Sequence, residues 1–490
     1  MSKITKLKAL FVIGFENNQH VIYKNGEVVF KDDRIIFCGK NYKGPFDEEF
    51  DAGKSIISPG FIDLDSDIDT DHALIDVAVP KSIQDRFKMG DKFRTKDPYT
   101  LEDFYVRQKF SMAQLIKNGI TTAMPIEGEL FHGFSQTYEE FEVMAHVALE
   151  LGYRLYVGPS FKSQKAVGFD VEPDREKKSF EDALRFFDNF DGKREGLIKG
   201  FMNPCQISCT RFEILAQAME FAKSKDIPMR LHACEGLHEW DLLKTMGLES
   251  TITYFEKQGM LASNLLIPHC IVAKDSELEL LRNYDVSIIH TPIAEINVGT
   301  ALVSFSKYQD YGINITMGTD AQPNDMIQNM RYALDLDRMF YKQQIFQKYP
   351  EQGEAFNRPI ENNFNRISAK DVFNAATINA AKALRRNDIG KLAENMKADI
   401  IIIDLDDINV GPYQDPIRTI LKSCVGNNVS STIIDGKWLM KDRKLINIDE
   451  KLLLNQMQKV YDKFIHLYEV YDASNRPIET FFPSEFKIIE

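Results

Sequence analysis

The sequence predicts an α/β protein: a (β/α)8 barrel of the TIM type with a small composite β-sandwich domain built from both ends of the chain. Between residues 59 and 385, short apolar strands alternate with amphipathic helices. This many strand–helix units indicate a parallel sheet closed into a barrel. Strand-like sequence without helices occupies residues 1–58 and returns between 386 and 447. Two β-rich ends that flank one α/β region most simply form one small domain.

Each part of this prediction has its own pattern. In the first 58 residues, runs such as "LFVIGF", "HVIYK" and "EVVFKDDRIIFCG" are separated by Asn, Gly and Asp turns, which is typical of short antiparallel strands. The barrel strands are predicted at "GITTAMPI", "RLYVGPSF", "MRLHAC", "LLIPHC", "VSIIHTP" and "INITMGTD". Segments such as "RFEILAQAMEFAKSK" and "SELELLRNY" between them predict helices.

The chain closes with two further patterns. "ADIIIIDLDD" and "VSSTIIDGKWLMKDRKL" predict the returning strands of the composite domain. Residues 448–490 are predicted to form a C-terminal helix and tail, because apolar residues in 449–472 recur at helical spacing. This helix is expected to dock on the body of the protein or on a subunit partner, and we expect a homodimer.

Composition restricts the class of partner. The 490 residues carry a formal net charge of −13, which argues against nucleic acid or an anionic membrane as the main partner. The apolar run "ALFVIGF" is too short to span a membrane and predicts a buried strand. Six cysteines without a CxxC pair indicate reduced thiols, so we expect a cytoplasmic protein.

Polar residues close several predicted barrel strands. In a parallel barrel the active site lies at the carboxyl ends of the strands, so such residues are expected to converge there. The residues with this placement are Asp65, Asp67, His232, Glu235, His269, His290 and Asp320. Any one of them could be a hydrogen-bonded structural residue or a helix cap. Their occurrence in the order expected of one site favours a shared function.

The first of these strands ends in an unusual run of acids, "DLDSDIDTD". The period of two in a strand predicts Asp63, Asp65 and Asp67 on one face. Two carboxylates about 7 Å apart repel by roughly 2 kcal/mol at an effective dielectric constant near 20. A cation between them would relieve this repulsion. Carboxylates and imidazoles that converge on one point are typical of a divalent-metal site, which can activate water.

These motifs resemble the amidohydrolase superfamily, in the branch of chlorohydrolases and aminohydrolases that act on triazines and nucleobases. The resemblance covers nearly the whole chain. "ISPGFIDLDSD" and "GITTAMPI" resemble the first two barrel strands of the family, and "LHACE" resembles the His-x-x-Glu of the fifth. "IPHCIVAKDSELELL", "HTPIAEINVGTALVSF" and "YGINITMGTDAQPNDM" resemble the sixth to eighth. "GKLAENMKADIIIIDLD" with "IIDGKWLM" resembles the closing strands of the composite β-domain.

The resemblance implies a role for each residue. His232 and Asp320 would be metal ligands, and Asp320 would also act as a base toward the attacking water. Glu235 and His269 would flank that water, with Glu235 moving protons and His269 stabilising charge on the substrate. Gln206 lies in "PCQISCT", where relatives place a substrate-contacting loop, and His290 is a second predicted substrate contact. The implied reaction is hydrolysis of a C–N bond in a small heterocyclic or amide-bearing substrate.

The chain departs from the family at its first strand. The family pattern there is His-x-His, whereas this sequence has Asp65 and Asp67. One interpretation is a metal site rebuilt with oxygen ligands, in which Zn, Mn or Fe is bound and hard ions such as Mn or Mg are favoured over tight zinc. The alternative is a catalytically impaired, amidohydrolase-like protein that binds a small ligand and has lost the metal. Retention of His232, Glu235, His269 and Asp320 favours the enzyme.

Four further residues could belong to the site. His72 follows the acidic run and could reach the metal, although a loop or helix start is the simpler interpretation. Lys162 could act as a carbamylated metal ligand, which this branch of the family does not use. Glu127 and Glu129 could reach the rim of the site or belong to a plain loop.

Overall fold

A computed structural model describes residues 2–67, 99–126, 137–163, 171–298, 305–320, 323–348, 367–466, 469–470, 472–481, 483–484 and 486–489. His72, Glu127 and Glu129 lie outside the described residues. For Asp67 the backbone is described and the side chain is not.

The described chain contains strands at both ends and throughout the middle. The strands are β1 (Ile4–Glu16), β2 (Gln19–Lys31), β3 (Arg34–Gly39), β4 (Glu48–Asp51), β5 (Ser55–Pro59), β6 (Phe61–Asp67), β7 (Ile120–Ile126), β8 (Arg154–Val157), β9 (Ile198–Gly200), β10 (Met229–Arg230), β11 (Leu265–Pro268), β12 (Ser287–His290), β13 (Asn314–Met317), β14 (Ile400–Asp404), β15 (Val429–Ile434), β16 (Lys437–Lys441) and β17 (Lys444–Leu445).

Helices follow most of the strands of the middle region. They are α1 (Leu101–Lys117), α2 (Tyr138–Leu151), α3 (Pro173–Phe190), α4 (Lys193–Gly196), α5 (Phe212–Lys225), α6 (Leu237–Thr245), α7 (Thr251–Lys257), α8 (Asp275–Asn283), α9 (Pro292–Val298), α10 (Phe305–Asp310), α11 (Met326–Lys348), α12 (Ala369–Ala375), α13 (Ile378–Ala383), α14 (Pro416–Lys422), α15 (Glu450–Ile465) and α16 (Ile478–Phe481).

Strands β6 to β13 form the predicted barrel from two parallel four-stranded halves, β6–β9 and β10–β13. A parallel bridge between Met202 and Met229 joins the halves at one seam. At the other seam the backbone N–H of Asp320 donates to the carbonyl of Asp65 at 2.6 Å. The second seam therefore brings the ends of the first and last barrel strands together, which confirms the predicted fold.

Strands from both ends of the chain form one nine-stranded sheet. Its order is β17-β16-β15-β14-β5-β1-β2-β3, with β4 paired to β1. The join lies where β5 pairs antiparallel with β14. The composite character expected from the sequence is present, and its strands are hydrogen-bonded in a single sheet. The boundaries 1–58, 59–385, 386–447 and 448–490 stay predictions.

A buried ion pair ties the barrel to this sheet. Arg154, on barrel strand β8, has a fully buried side chain. Its guanidinium donates to both carboxylate oxygens of Asp399, at 2.9 and 3.2 Å, and to Asp435. Both acids flank strands of the composite sheet. Buried charges are stable only when paired, so this contact fixes how barrel and sheet meet.

The C-terminal helix α15 docks on the body, one of the two arrangements expected. Leu453, Met457 and Val460 on one face are buried. Glu450 at its start pairs with Lys117 of α1 at 2.6 Å. Whether the chain forms a homodimer stays a prediction, as does its cytoplasmic location. Within the described ranges, every helix is too short or too polar to cross a bilayer.

Candidate active site

The candidate site lies where barrel strands β6, β10, β11 and β13 end. Asp65 belongs to β6, while His232 and His269 follow β10 and β11 by two and one residues. One ligand atom from each of these three side chains lies within 4.8 Å of the other two. All three side chains are buried. The structure thus brings together three residues that the sequence placed at strand ends.

Asp65 and His232 face each other across the barrel. Nε2 of His232 lies 3.7 Å from Oδ2 of Asp65, and Nδ1 lies 3.1 Å from the carbonyl oxygen of Cys205. A proton on Nδ1 donated to that carbonyl leaves Nε2 to face the carboxylate. Burial, the largest single influence, lowers the pKa of His232, but the charge of Asp65, its contact with the ring and the charge of Glu235 together outweigh burial and raise the pKa.

A buried arginine lies against the carboxylate of Asp65. Nη1 of Arg230, a residue buried on β10, lies 3.1 Å from Oδ1 of Asp65. Burial raises the pKa of the Asp65 carboxyl, but the positive charges of Arg230 and His232 outweigh burial, and the pKa is lowered. The separation is that of an ion pair; neither Asp65 oxygen receives a hydrogen bond from the described residues.

Asp320 lies beside this group. Its Oδ2 is 3.8 Å from Nε2 of His269, and its backbone has a left-handed φ of 55°. Burial raises the pKa of Asp320 to about 6, partly opposed by His269 and reinforced by Asp65. A carboxyl whose pKa lies near neutrality can both accept and return a proton.

His269 is held from its other side by residues that the sequence did not single out. Its Nδ1 lies 2.5 Å from Oε1 of Glu295 and 2.8 Å from Oγ1 of Thr291. Both partners are buried, and Glu295 belongs to α9. Burial lowers the pKa of His269, but Glu295 and Asp320 outweigh it and raise the pKa to about 10.

Glu235 and Gln206, both predicted members of the site, contact each other. Nε2 of Gln206 donates to Oε2 of Glu235 at 3.3 Å, and Gln206 forms a parallel bridge with His232. The charge of Glu235 also raises the pKa values of His232 and His269. The predicted proton-transfer residue is therefore placed beside the candidate metal ligands.

His290 is buried at the end of β12. Its ring packs edge-on against Phe305, with centroids 5.8 Å apart, and its Nε2 has no hydrogen-bond partner within the described ranges. Burial and the charge of His269 lower the pKa of His290 to about 4. A contact of His290 with substrate stays a prediction. Lys162 is buried in the segment after β8 and is not one of the three grouped residues.

The Asp63 carboxylate is taken up by hydrogen bonds, one of them from the backbone N–H of Asp65 at 3.2 Å. It also accepts hydrogen bonds from the backbone N–H and Oγ1 of Thr319, at 3.1 and 2.6 Å. The pairing register of β6 with β7 shifts between Asp63 and Ser66. That Asp63, Asp65 and Asp67 share one face of the strand stays a prediction.

Three residues near the site were missed from sequence: Arg230, Thr291 and Glu295. A signal existed for Arg230, since a charged residue inside the otherwise apolar run "MRLHAC" must find a partner when the strand is buried. For Glu295 and Thr291 the run "HTPIAEIN" offered none, because their roles depend on how helix α9 packs against the end of β11.

The residues present fit a divalent cation. Donor atoms around a tetrahedral metal at 2.0–2.1 Å are about 3.4 Å apart. The observed 3.7 Å between Asp65 Oδ2 and His232 Nε2 is close to that spacing. The lone pairs of Asp65 are free of hydrogen bonds from the described residues, as a ligand requires. Asp65 and His232 could hold such an ion together with Asp320, and His269 lies beside them, its Nε2 3.8 Å from Oδ2 of Asp320.

The sequence model of the amidohydrolase family matches residues 56–439. A 5-methylthioadenosine/S-adenosylhomocysteine deaminase of Acetivibrio thermocellus is 28% identical over 347 residues, which cover 69% of this chain and 71% of the relative. The corresponding deaminase of Pyrococcus abyssi is 24% identical over 90% of this chain and 94% of its own.

Solved structures show the same fold. An adenosine deaminase of Xanthomonas campestris with bound zinc superposes with a TM-score of 0.76 at 18% identity, covering 94% of this chain and 98% of the other. Atrazine chlorohydrolase of Arthrobacter aurescens TC1, complexed with zinc, superposes with a TM-score of 0.77 at 18% identity. The match covers 93% of this chain and 100% of the other. With most of its length matched by the family's sequence model, the chain belongs to the amidohydrolase family.

Proposed function

We propose that this protein is a metal-dependent hydrolase that removes the exocyclic amino group of a small nitrogen heterocycle, with a 5′-substituted adenosine as the leading substrate class. Water adds at the ring carbon that bears the amino group, the C–N bond breaks, and ammonia leaves. The reaction belongs to hydrolysis of C–N bonds outside peptides.

One observation carries the proposal: the convergence of Asp65, His232 and His269 within 4.8 Å at the carboxyl ends of the barrel strands. Glu235 and Asp320 lie around this group as carboxylates that can move protons. A structural cluster would need hydrogen bonds to its buried acid, yet both Asp65 oxygens lack them among the described residues. This arrangement supports a ligand-binding centre.

The residues divide the chemistry between them. We propose that the divalent ion is Zn, Mn or Fe and that it would be held by Asp65, Asp67, His232 and Asp320. Such an ion would lower the pKa of a bound water molecule and so make it a better nucleophile. Asp320 accepts a proton from the attacking water. Glu235 donates its proton to the ring nitrogen and later takes up the hydroxyl proton of the addition product, while Asp320 passes the proton it accepted to the departing amine as the C–N bond breaks.

His269 then acts on the substrate side. Glu295 keeps its imidazole in one orientation, so Nε2 is directed toward Asp320 and the reacting atoms. There it stabilises negative charge that develops on the water oxygen or the ring. Gln206 positions Glu235, and both Gln206 and His290 are proposed to contact the substrate.

The relatives support the substrate class. The names of relatives with similar sequences specify 5-methylthioadenosine, S-adenosylhomocysteine and 5′-deoxyadenosine, which share an adenine ring. A structural neighbour from C. acetobutylicum is a guanine deaminase with bound guanine. The shared chemistry is an amino group on a purine carbon.

The test is ammonia release by purified protein loaded separately with Zn, Mn or Fe. Adenosine, 5′-deoxyadenosine, 5′-methylthioadenosine, S-adenosylhomocysteine and guanine serve as substrates. At least one is expected to turn over, and Glu235→Gln should lower that rate about 10²-fold or more with metal still bound. Glu220→Gln, at an exposed position of α5, is the matched control and should leave the rate unchanged.

Two results would contradict the proposal in different ways. Metal-loaded protein that releases no ammonia from any of these purines would overturn the substrate class. Protein that binds none of the three metals would overturn the hydrolase itself. The ion pair of Arg230 with Asp65 would then favour the second candidate, a metal-free barrel that binds a small ligand.

A further inference from the structure

Arg230 is a buried charge in the wall of the barrel. It lies on β10, two residues before His232, and its side chain is 1% exposed. A guanidinium always carries its charge in a protein and offers five N–H donors in a rigid fork. Such a group is stable inside a barrel only where its donors and its charge are matched.

The terminal N–H groups of Arg230 are already engaged. Nη1 donates to the carbonyl oxygens of Leu64 and Met124, at 3.2 and 2.8 Å. Nη2 donates to the carbonyl oxygen of Pro125 at 2.7 Å and to Oδ1 of Asn203 at 3.4 Å. These partners belong to β6, β7 and the segment after β9. The guanidinium is therefore fixed to three neighbouring parts of the barrel wall.

None of those bonds is made to Asp65, although Nη1 lies 3.1 Å from its Oδ1. Arg230 supplies positive charge next to the carboxylate and leaves the carboxylate lone pairs open. A side chain that donated directly would occupy the oxygens that a cation needs.

We propose that Arg230 is a positioning residue that makes Asp65 act as a charge-neutral metal ligand. In the family pattern this place is taken by a histidine, whose neutral imidazole adds no charge to the site. Asp65 alone would add one negative charge; Asp65 with Arg230 adds none. The inference rests on the proposed function, since it assigns how this chain holds the metal of that site.

The proposal predicts how cation affinity follows the charge of the pair. Asp65→Asn leaves the arginine charge alone in the wall, and Mn²⁺ affinity should fall by about 100-fold or more. Arg230→Met leaves the carboxylate alone, and Mn²⁺ affinity should rise by about 10-fold. The double variant Asp65→Asn/Arg230→Met is neutral again and should bind Mn²⁺ at least about 10-fold more tightly than Asp65→Asn. Arg230→Lys keeps the charge and should stay near wild type.

The experiment is calorimetric titration of each protein with MnCl₂, combined with thermal unfolding in the presence of a chelator. Arg443→Met is the matched control. Like Arg230, Arg443 donates to three backbone carbonyl oxygens and to the side-chain oxygen of one asparagine. The acceptors are the carbonyl oxygens of Lys117, Gly426 and Val429 and Oδ1 of Asn427. Its loss should lower Tm without changing Mn²⁺ affinity. In the chelator the double variant should melt above both single variants, because each single change leaves one buried charge alone.

A purely structural arginine would give a different pattern. Arg230→Met that binds Mn²⁺ no more tightly than wild type, or a double variant as weak as Asp65→Asn, would overturn the inference. Should Arg230→Met fail to fold, Asp65→Asn and the double variant still make the comparison. Wild type that binds no metal would instead contradict the proposed function, and the unfolding data in chelator would still test the charge pairing. Equal Tm values for the double variant and the single variants there would overturn the pairing.

Discussion

Replacing Arg154 by methionine should destabilise the whole protein, because this arginine joins the barrel to the composite sheet. Its side chain is fully buried, and that of Asp399 is 3% exposed. Methionine fills much of the same volume but leaves Asp399 without its two charged donors. The backbone N–H of Asp435 would still donate to Asp399 at 2.9 Å, so the carboxylate keeps one neutral partner.

The size of the effect follows from burial. Breaking a buried ion pair on one side costs about 3–5 kcal/mol, since the remaining charge is left in a low-dielectric environment. Unfolding entropy near 2.1 cal/mol/K per residue gives about 1 kcal/mol/K for a chain of this length. Arg154→Met should therefore lower Tm by about 3–5 °C.

Scanning calorimetry or circular dichroism at neutral pH measures this shift. Arg418→Met is the control, because that side chain is 71% exposed and its pairing with Asp415 contributes little. The double variant Arg154→Met/Asp399→Leu removes the carboxylate as well and should recover part of the loss. A single variant that melts within about 1 °C of wild type, or a double variant no more stable than the single one, would refute the reasoning.

Three further predictions concern acid stability, orientation of the site and metal binding. His20 packs edge-on against Phe15 and Phe373, and burial lowers its pKa to about 4, below that of the unfolded chain. The neutral imidazole therefore contributes its full stabilisation above about pH 6.5, and this stabilisation is lost as the pH falls toward 4. At pH 5 the loss in the free energy of unfolding is about 2 kcal/mol. His20→Gln should reduce the Tm difference between pH 7 and pH 5 by about 2 °C; an unchanged difference would contradict this. Glu295→Gln should lower kcat about 10-fold or more, because it weakens the hold on His269. Glu279→Gln, at an exposed position of α8, is the control and should leave kcat unchanged. Equal kcat values for the two variants would contradict a positioning role for Glu295. At a free Mn²⁺ concentration of about 100 times the Kd, binding should stabilise the folded protein by about 2.7 kcal/mol. A chelator should therefore lower the Tm. A Tm that does not change when chelator is added would contradict a metal in the site.

The sequence alone determined the fold and the family. Apolar periodicity is local, so most strands of the barrel and of the composite sheet could be predicted from a few neighbouring residues. The order of the strands along the chain then predicted the barrel. Parallel strands that follow one another in sequence and are joined by helices usually lie side by side. The composite sheet followed from two β-rich ends, and β5 does pair with β14.

Sequence reasoning also selected most of the side chains that converge. His232 and His269 follow strands whose carboxyl ends must share one face of the barrel, so their convergence follows from topology. The placement of Glu235 beside Gln206 agrees with this, since both lie in loops on that face. Asp67 was selected in the same way, and its role stays a prediction.

Only the tertiary structure decided the charges around the site. The register of β6 against β7 is irregular, Asp63 is hydrogen-bonded to Thr319, and Asp65 faces Arg230 and His232. No local pattern encodes that irregularity or the packing of α9, which brings Glu295 against His269. Both depend on contacts between residues far apart in the chain. Charge pairing inside a barrel is set by distances of a few ångströms, and those distances exist only once the strands have closed.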